Sequence, residues 1–106
     1  MRVLLDEHLD RRLRNDFAEE FDVMTVEFQG WKGTRNGTLL RLAALEFDAF
    51  VTMDKGIEFE QVWRTLDLAI VLVSARTNRY ADVKPLIPRI QSALRFIQPG
   101  HLVRIP

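Results

Sequence analysis

Short runs of aliphatic and β-branched residues alternate with amphipathic stretches along this chain. Polar residues flank each run, which is typical of strands that are buried on both faces of a parallel sheet. The pattern predicts five strands, at residues 2–5, 21–26, 48–53, 68–73 and 101–105. Residues 68–73 form the most apolar run, so we expect that strand to be central.

Apolar residues at helical spacing predict helices between these strands. One helix is expected over residues 9–19, one from Asn36 as its N-cap, and a short one over residues 56–64. A longer helical stretch follows residue 79, and Pro85 and Pro88 predict a late start or a kink there. Strands alternating with helices indicate an α/β fold, with helices covering both faces of a parallel sheet.

Composition narrows the classes of protein and of site. The chain has 106 residues, one domain's length, and no cysteine, which excludes disulfides, zinc–thiolate sites and thiol catalysis. Its formal net charge of zero argues against a broad nucleic-acid footprint, although a local one stays open. No apolar run approaches a membrane span and none resembles a signal peptide, so a cytoplasmic location is expected by default.

Acidic residues follow two of the predicted strands. Asp6 and Glu7 come directly after the first strand, and Asp54 follows the third. If the first strand lies at the switch point of the sheet, these acids converge in the crevice where open α/β sheets bind ligands. The start of the Asn36 helix and the 74–79 loop should lie nearby.

Clustered carboxylates repel one another unless a cation lies between them or one is protonated. Oxygen ligands without a His/Cys cluster favour Mg²⁺ or Mn²⁺ over zinc. Such an ion promotes phosphodiester hydrolysis, which is the chemistry that these acids most directly predict.

Each candidate also has a structural explanation. An aspartate after a strand often caps the next helix, and Asn36 is explained more simply as a cap than as a ligand. Glu7 should face away from Asp6, because successive strand residues point to opposite faces. Glu58 lies one turn beyond Asp54 and could either reach inward or be solvated.

The ordered series of motifs resembles the DUF5615 PIN-like proteins over nearly the whole chain. The residues that carry the resemblance are Leu4-Leu5-Asp6-Glu7 with Arg11-Arg12-Leu13, Asp22-Val23 with Thr25-Val26, Gly30-Trp31 with Gly33, Asn36-Gly37 with Leu39-Leu40 and Ala43, Val51-Thr52-Met53-Asp54, the 74–79 segment, and Pro99-Gly100 with Val103-Arg104. The resemblance implies a single PIN-like domain over residues 1–106. Its expected architecture is a three-layer α/β/α sandwich around a mostly parallel five-stranded sheet.

The resemblance also implies a function, that of a toxin-like endoribonuclease that depends on Mg²⁺ or Mn²⁺ and has a small antitoxin as its partner. Asp6 matches the acid that closes the first strand, and Asp54 matches the acid of the Thr-x-Asp strand, so these two are the expected metal ligands. PIN-type proteins usually pair, and a homodimer is therefore expected. Many relatives carry acids where this chain has Asn36 and Gly56, so a one-metal or weakened site fits better than a two-metal site.

The remaining candidates have supporting roles in this hypothesis. Glu7 and Asn36 join the two aspartates as candidate catalytic residues, and Glu58 is a candidate helper. Basic side chains near the strand ends are candidates to hold RNA phosphates; they are Lys55, Arg76 and Arg79.

Two other functions stay open. A response-regulator receiver would use Asp6-Glu7 as its acidic pair, Asp54 as phosphoacceptor and Ser74 as its hydroxyl. It also needs a lysine after a fifth strand and a closing helix, and the residues up to Pro106 provide neither. The second alternative is a binding module that keeps the fold without catalysis, which the neutral charge and the missing acids favour.

Overall fold

The computed structural model describes residues 1–106 and contains one sheet of five parallel strands. The strands are β1 (Arg2–Leu5), β2 (Asp22–Thr25), β3 (Ala49–Thr52), β4 (Ala69–Val73) and β5 (Leu102–Ile105). Their spatial order is β2-β1-β3-β4-β5. The predicted α/β class and parallel sheet are confirmed. The most apolar strand, β4, is an inner strand beside the edge strand β5, and the central position belongs to β3.

Three α-helices and four 3₁₀ helices connect the strands. The α-helices are α1 (Asn36–Glu46), α2 (Tyr80–Val83) and α3 (Ile87–Phe96), and the 3₁₀ helices are Arg11–Asp16, Lys55–Phe59, Gln61–Thr65 and Lys84–Leu86. None of these helices has the length and apolar character needed to cross a lipid bilayer.

The helix predicted over residues 9–19 is shorter and tighter than its apolar spacing suggested. It is the 3₁₀ helix Arg11–Asp16, with Asp10 as its N-cap and an extended Phe17 at its end. Leu13 is the one buried residue within it, while Leu9 and Phe17 pack against the same core cluster from positions outside the helix. The helix predicted over residues 56–64 likewise divides into two 3₁₀ helices, at Lys55–Phe59 and Gln61–Thr65.

The two prolines interrupt the last helical stretch, as predicted. Pro85 lies in the 3₁₀ turn Lys84–Leu86, between α2 and α3. Pro88 occupies the first turn of α3, where its missing N–H removes no hydrogen bond within the helix. The stretch is therefore divided into three pieces, and α3 alone has the length of an ordinary helix.

Apolar residues cover both faces of the sheet, because successive strand residues point to opposite sides. One cluster packs alternate strand residues against the first 3₁₀ helix and α3; it includes Val3, Leu5, Val51, Val71, Leu13, Ile90 and Leu94. The other packs the intervening strand residues against α1 and the middle 3₁₀ helices; it includes Leu4, Phe50, Ile70, Leu39, Leu40, Ile57 and Trp63. Elements on both sides of the sheet thus hold the strand ends in place.

The strand order places the switch point at β1, as predicted. β2 pairs with one side of β1 and β3 with the other, so the connections after these strands diverge at this position. In the register of β1 and β3, Leu5 lies opposite Val51. The next residues along the two strands, Asp6 and Thr52, therefore meet at the carboxyl edge of the sheet, where α/β proteins bind ligands.

Candidate active site at the switch point

Asp6 is a buried carboxylate held at the end of β1. Only 6% of the residue is exposed, and its backbone N–H donates to the carbonyl of Val51 at 3.0 Å. Its Oδ2 accepts a hydrogen bond from the Thr52 hydroxyl at 2.6 Å, and its Oδ1 accepts one from the Glu7 N–H at 2.8 Å. Burial raises the pKa of Asp6 above its ordinary 3.8, although the Thr52 hydrogen bond opposes the rise.

Thr52 connects the two aspartates that the sequence singled out. Its side chain is fully buried at the end of β3. The hydroxyl donates to Asp6 and accepts a hydrogen bond from the N–H of Asp54 at 3.0 Å. Thr52 was named beforehand only as part of a motif. Its role could have been predicted from its position, because a polar residue that ends an apolar strand is buried and its hydroxyl must form hydrogen bonds.

Asp54 has two sets of partners. Its Oδ1 accepts from the N–H of Gly56 at 2.9 Å, which caps the 3₁₀ helix Lys55–Phe59. Its Oδ2 accepts from the side-chain amide of Asn36 at 3.1 Å. The capping explanation is therefore correct for Asp54, and the same carboxylate also belongs to the switch-point cluster. We call Asp6, Thr52, Asp54 and Asn36 the switch-point cluster below.

The N-cap role expected of Asn36 is wrong. Arg35 is the N-cap of α1 and makes no side-chain capping bond, whereas Asn36 is the first helical residue. The carbonyl of Arg35 accepts the first helical hydrogen bond, from the N–H of Leu39 at 2.8 Å. Because the Asn36 side chain does not cap this helix, its amide is free to donate to Asp54.

The other two candidate acids are engaged elsewhere. Glu7 accepts a hydrogen bond from the N–H of Gly33 at 3.2 Å and so ties the loop before α1 to the end of β1. Glu58 forms a bidentate ion pair with Arg104 of β5, and this arginine lowers the pKa of the Glu58 carboxyl. Its carboxylate is thereby directed to the edge strand.

Basic side chains near this edge of the sheet remain free. Lys55, Arg76 and Arg79 are exposed, and none of them forms an ion pair. The 74–79 loop is brought to the end of β1 by Asn78, whose side-chain amide donates to the His8 carbonyl at 3.0 Å. This contact places the loop beside the segment that directly follows Asp6 and Glu7.

A cleft of about 630 Å³ opens beside Asp6, on the side of β2. Arginines of the first 3₁₀ helix form part of its wall, together with Phe28 from the loop after β2; the arginines are Arg11, Arg12 and Arg14. These arginines fall within the helix predicted over residues 9–19, and the cleft itself was not predicted. No local signal could have found it, since its walls come from the ends of two strands.

The switch-point cluster offers two carboxylates, Asp6 and Asp54, to a divalent ion, and two are too few for a two-metal site. No group of three or more acidic, histidine or cysteine residues is arranged so that it could hold a metal ion. Asp6 and Asp54 each accept hydrogen bonds only from neutral donors, and neither forms an ion pair with a basic side chain. Mg²⁺ is commonly held by one or two protein carboxylates, while waters and substrate phosphates complete its coordination. Asp6 and Asp54 could supply those carboxylates.

Comparisons of the chain with protein-family models, with curated proteins and with solved structures found no match. The resemblance to the DUF5615 PIN-like proteins therefore stays a prediction. The function has to be argued from the geometry of the switch-point cluster.

Proposed function

We propose that this protein is a divalent-metal-dependent endoribonuclease of the PIN-like type, in which Asp6 and Asp54 hold one Mg²⁺ or Mn²⁺. The observation that supports the proposal most strongly is the link through Thr52. One buried hydroxyl donates to the Asp6 carboxylate and accepts from the backbone N–H of Asp54, and so links the ends of two neighbouring strands at the switch point. Structural capping alone would require neither the burial of Asp6 nor a shared partner.

The electrostatics of Asp6 support a cation at this position. A buried carboxylate without a basic partner is unfavourable, and its pKa is raised for that reason. A hard cation between Asp6 and Asp54 would offset this cost. Bound there, Mg²⁺ would polarise a phosphate oxygen and lower the pKa of a coordinated water. Thr52 would orient Asp6, and Asn36 would orient Asp54, through the hydrogen bonds already described.

RNA is the proposed substrate because free basic groups lie at the same edge of a protein that has no net charge. Lys55 is adjacent to Asp54, and Arg76 and Arg79 lie in the loop held against the end of β1. Arginine presents a planar fork that suits phosphate oxygens. This distribution supports a local phosphate contact, without the broad basic surface of a protein that covers long nucleic acid.

The proposal includes a homodimer and a small antitoxin partner, which the resemblance implies, and a cytoplasmic location, which is expected by default. Two large apolar side chains, Leu45 and Phe59, are exposed and are available for contacts with a second copy of the chain or with an antitoxin. Light scattering of the purified protein over a range of concentrations would test the dimer.

A non-catalytic binding module is the second candidate. The observation in its favour is that only two carboxylates are available, since Glu58 is paired with Arg104. Such a module could bind the metal without cleaving RNA. A receiver-type phosphoacceptor would instead be labelled at Asp54 by a small phosphodonor.

An RNA-cleavage assay tests the proposal. We would compare the wild type with Asp6→Asn and Asp54→Asn in Mg²⁺, in Mn²⁺ and in EDTA. Asp67→Asn is the matched control, because Asp67 is an exposed acid that precedes β4 at the opposite edge of the sheet. Loss of either ligand should lower cleavage by about 100-fold or more, while Asp67→Asn behaves as wild type.

Metal binding provides the second measurement, through the Mn²⁺ electron paramagnetic resonance signal or through calorimetry. A metal that binds the folded state alone also raises the thermal midpoint in a concentration-dependent way. If the wild type binds the metal without cleaving RNA, and Asp6→Asn no longer binds the metal, the result would support the binding module. Neither binding nor cleavage would reject the proposed function.

A further inference from the structure

An exposed aromatic side chain stands at the cleft beside Asp6. Phe28 is 69% exposed and lines this cleft. Its backbone is well held, since its N–H donates to the Thr25 hydroxyl at 3.1 Å and the N–H of Gln29 donates to the Thr25 carbonyl at 3.1 Å. A third bond, from the N–H of Trp31 to the carbonyl of Val26 at 3.0 Å, closes the turn. The fold thus holds a phenyl ring in solvent on an ordered turn.

Of the three arginines that line the cleft, one is paired with an acid and two form no ion pair. Arg12 forms a two-pronged ion pair with Asp10 and lies over the ring of Tyr80 at 4.4 Å. Arg11 and Arg14 are exposed and form no ion pair. They are three residues apart in a 3₁₀ helix, which has about three residues per turn, so they lie on the same side of the helix.

The acids of the cleft are largely accounted for by other groups. Asp10 is matched by Arg12, and Glu7 accepts from the N–H of Gly33. Glu27 is exposed to solvent, and Asp6 forms the buried end of the cleft that joins it to the switch-point cluster. Two guanidinium groups without acidic partners therefore remain available to a ligand.

We infer that this cleft is a nucleotide subsite, in which Phe28 stacks against a base and Arg11 and Arg14 hold the adjacent phosphates. An aromatic face next to free arginines is the combination that binds single-stranded nucleic acid with little sequence preference. The subsite brings the sugar–phosphate backbone alongside Asp6. It rests on the proposed function for the identity of its ligand. A paired base has its faces covered by neighbours, so the subsite selects unpaired nucleotides.

Binding measured without metal isolates the subsite from the metal site. A short fluorescein-labelled single-stranded oligouridylate is titrated in EDTA and followed by fluorescence anisotropy. Phe28→Ala should weaken binding by about 5- to 160-fold, the range found for loss of one stacked base. Phe96→Ala is the matched control, since Phe96 is an 80% exposed phenylalanine of α3 that lies outside the cleft.

The arginines are tested through the salt dependence. Removing two phosphate contacts with the double variant Arg11→Ala/Arg14→Ala should reduce the slope of log K against log salt by about 1.4 for a single strand. Arg89→Ala, an exposed arginine of α3 without an ion pair, should leave the slope unchanged. Circular dichroism of each variant verifies that the fold is retained.

Two further measurements identify the stacking. Phe28→Trp should bind the strand as tightly as wild type, because it preserves an aromatic face. An oligonucleotide with abasic sites should bind wild type and Phe28→Ala equally, because no base is left to stack. If Phe28→Ala prefers the base-containing strand over the abasic strand as strongly as wild type does, the stacking assignment is overturned.

Failure of the subsite can be told apart from failure of the nuclease. If all cleft variants bind and cleave like wild type, while Asp6→Asn abolishes cleavage, the subsite is wrong and the nuclease stands. If binding in EDTA depends on Phe28 but no metal supports cleavage, the nuclease is wrong and the subsite stands. Equal losses in the Phe96 or Arg89 controls would also overturn the subsite.

Discussion

The hydroxyl of Thr52 holds the switch-point cluster together, so its removal is the most informative single change. Thr52→Val replaces the hydroxyl with a methyl group of nearly the same size at a position with no exposure. Shape and β-propensity are almost unchanged. The variant loses the donor to Asp6 at 2.6 Å and the acceptor for the Asp54 N–H at 3.0 Å.

The expected loss follows from these two hydrogen bonds. A bond to a charged group contributes about 1.5 to 3 kcal/mol, and a neutral one contributes about 0.5 to 1.5 kcal/mol. Thr52→Val should therefore lower the free energy of unfolding by about 2 to 4 kcal/mol at pH 7. At an m value of about 1.5 kcal/mol per M, the urea midpoint falls by about 1 to 3 M.

The pH dependence identifies Asp6 as the source of the loss. The pKa of Asp6 is raised in the folded state, so between 3.8 and that raised value the folded protein binds more protons than the unfolded one. Stability from this group therefore increases as the pH falls through that window. Thr52→Val removes a contact that lowers the pKa, which enlarges the penalty at pH 7. The difference between variant and wild type should shrink near pH 4.

Urea unfolding at both pH values, followed by circular dichroism, tests this reasoning. Thr65→Val is the control, because it makes the same chemical change at an exposed hydroxyl that bonds only the Val62 carbonyl. Its effect should be well below that of Thr52→Val. A Thr52→Val protein as stable as wild type, or one whose deficit is the same at both pH values, would refute the proposed role of the hydroxyl.

Two other predictions test the turn before β5 and the cleft wall. Gly100 and Gly33 both have positive φ, at 78° and 81°, but a Cβ on Gly100 would lie 3.1 Å from a backbone oxygen while one on Gly33 meets open space. Gly100→Ala should therefore destabilise the protein more than Gly33→Ala, each by at least about 1 kcal/mol in urea unfolding. The Arg12 guanidinium lowers the pKa of the Asp10 carboxyl to about 2, so its stabilising effect is present above 3.8 and is lost as the pH falls through about 2. Carboxyl carbon NMR should show this midpoint, and Arg12→Gln should move it up toward 3.8; an unchanged midpoint would contradict the assignment.

The elements that were predicted well are those whose pattern is contained in a short stretch of sequence. Five apolar runs became five strands, and the aspartates after the first and third runs were placed at neighbouring strand ends. The prolines divided the last helical stretch where expected. In each case the deciding property, an apolar run or a missing N–H, is local to a short stretch of the chain.

The predictions that failed depended on partners distant in the chain. The helix expected over residues 9–19 had suitable spacing, and Leu9 and Leu13 are both buried against the sheet, but the chain between them and Phe17 forms only a six-residue 3₁₀ helix. Asn36 had the position of a cap, but the fold brought Asp54 to its side-chain amide. Glu58 was a candidate to reach inward, and its ion pair with Arg104 could not be anticipated because 46 residues separate the two.

The sequence by itself determined that two short buried strands each end in an aspartate, because hydrophobic periodicity and strand length are local properties of the chain. Only the tertiary structure decided what those aspartates contact. The register that sets Leu5 opposite Val51 brings the Thr52 hydroxyl to Asp6, and a shift by one residue would turn it to the other face of the sheet. Register is a collective result of packing on both faces, so the hydrogen bonds of the site appear only once the whole sheet is formed.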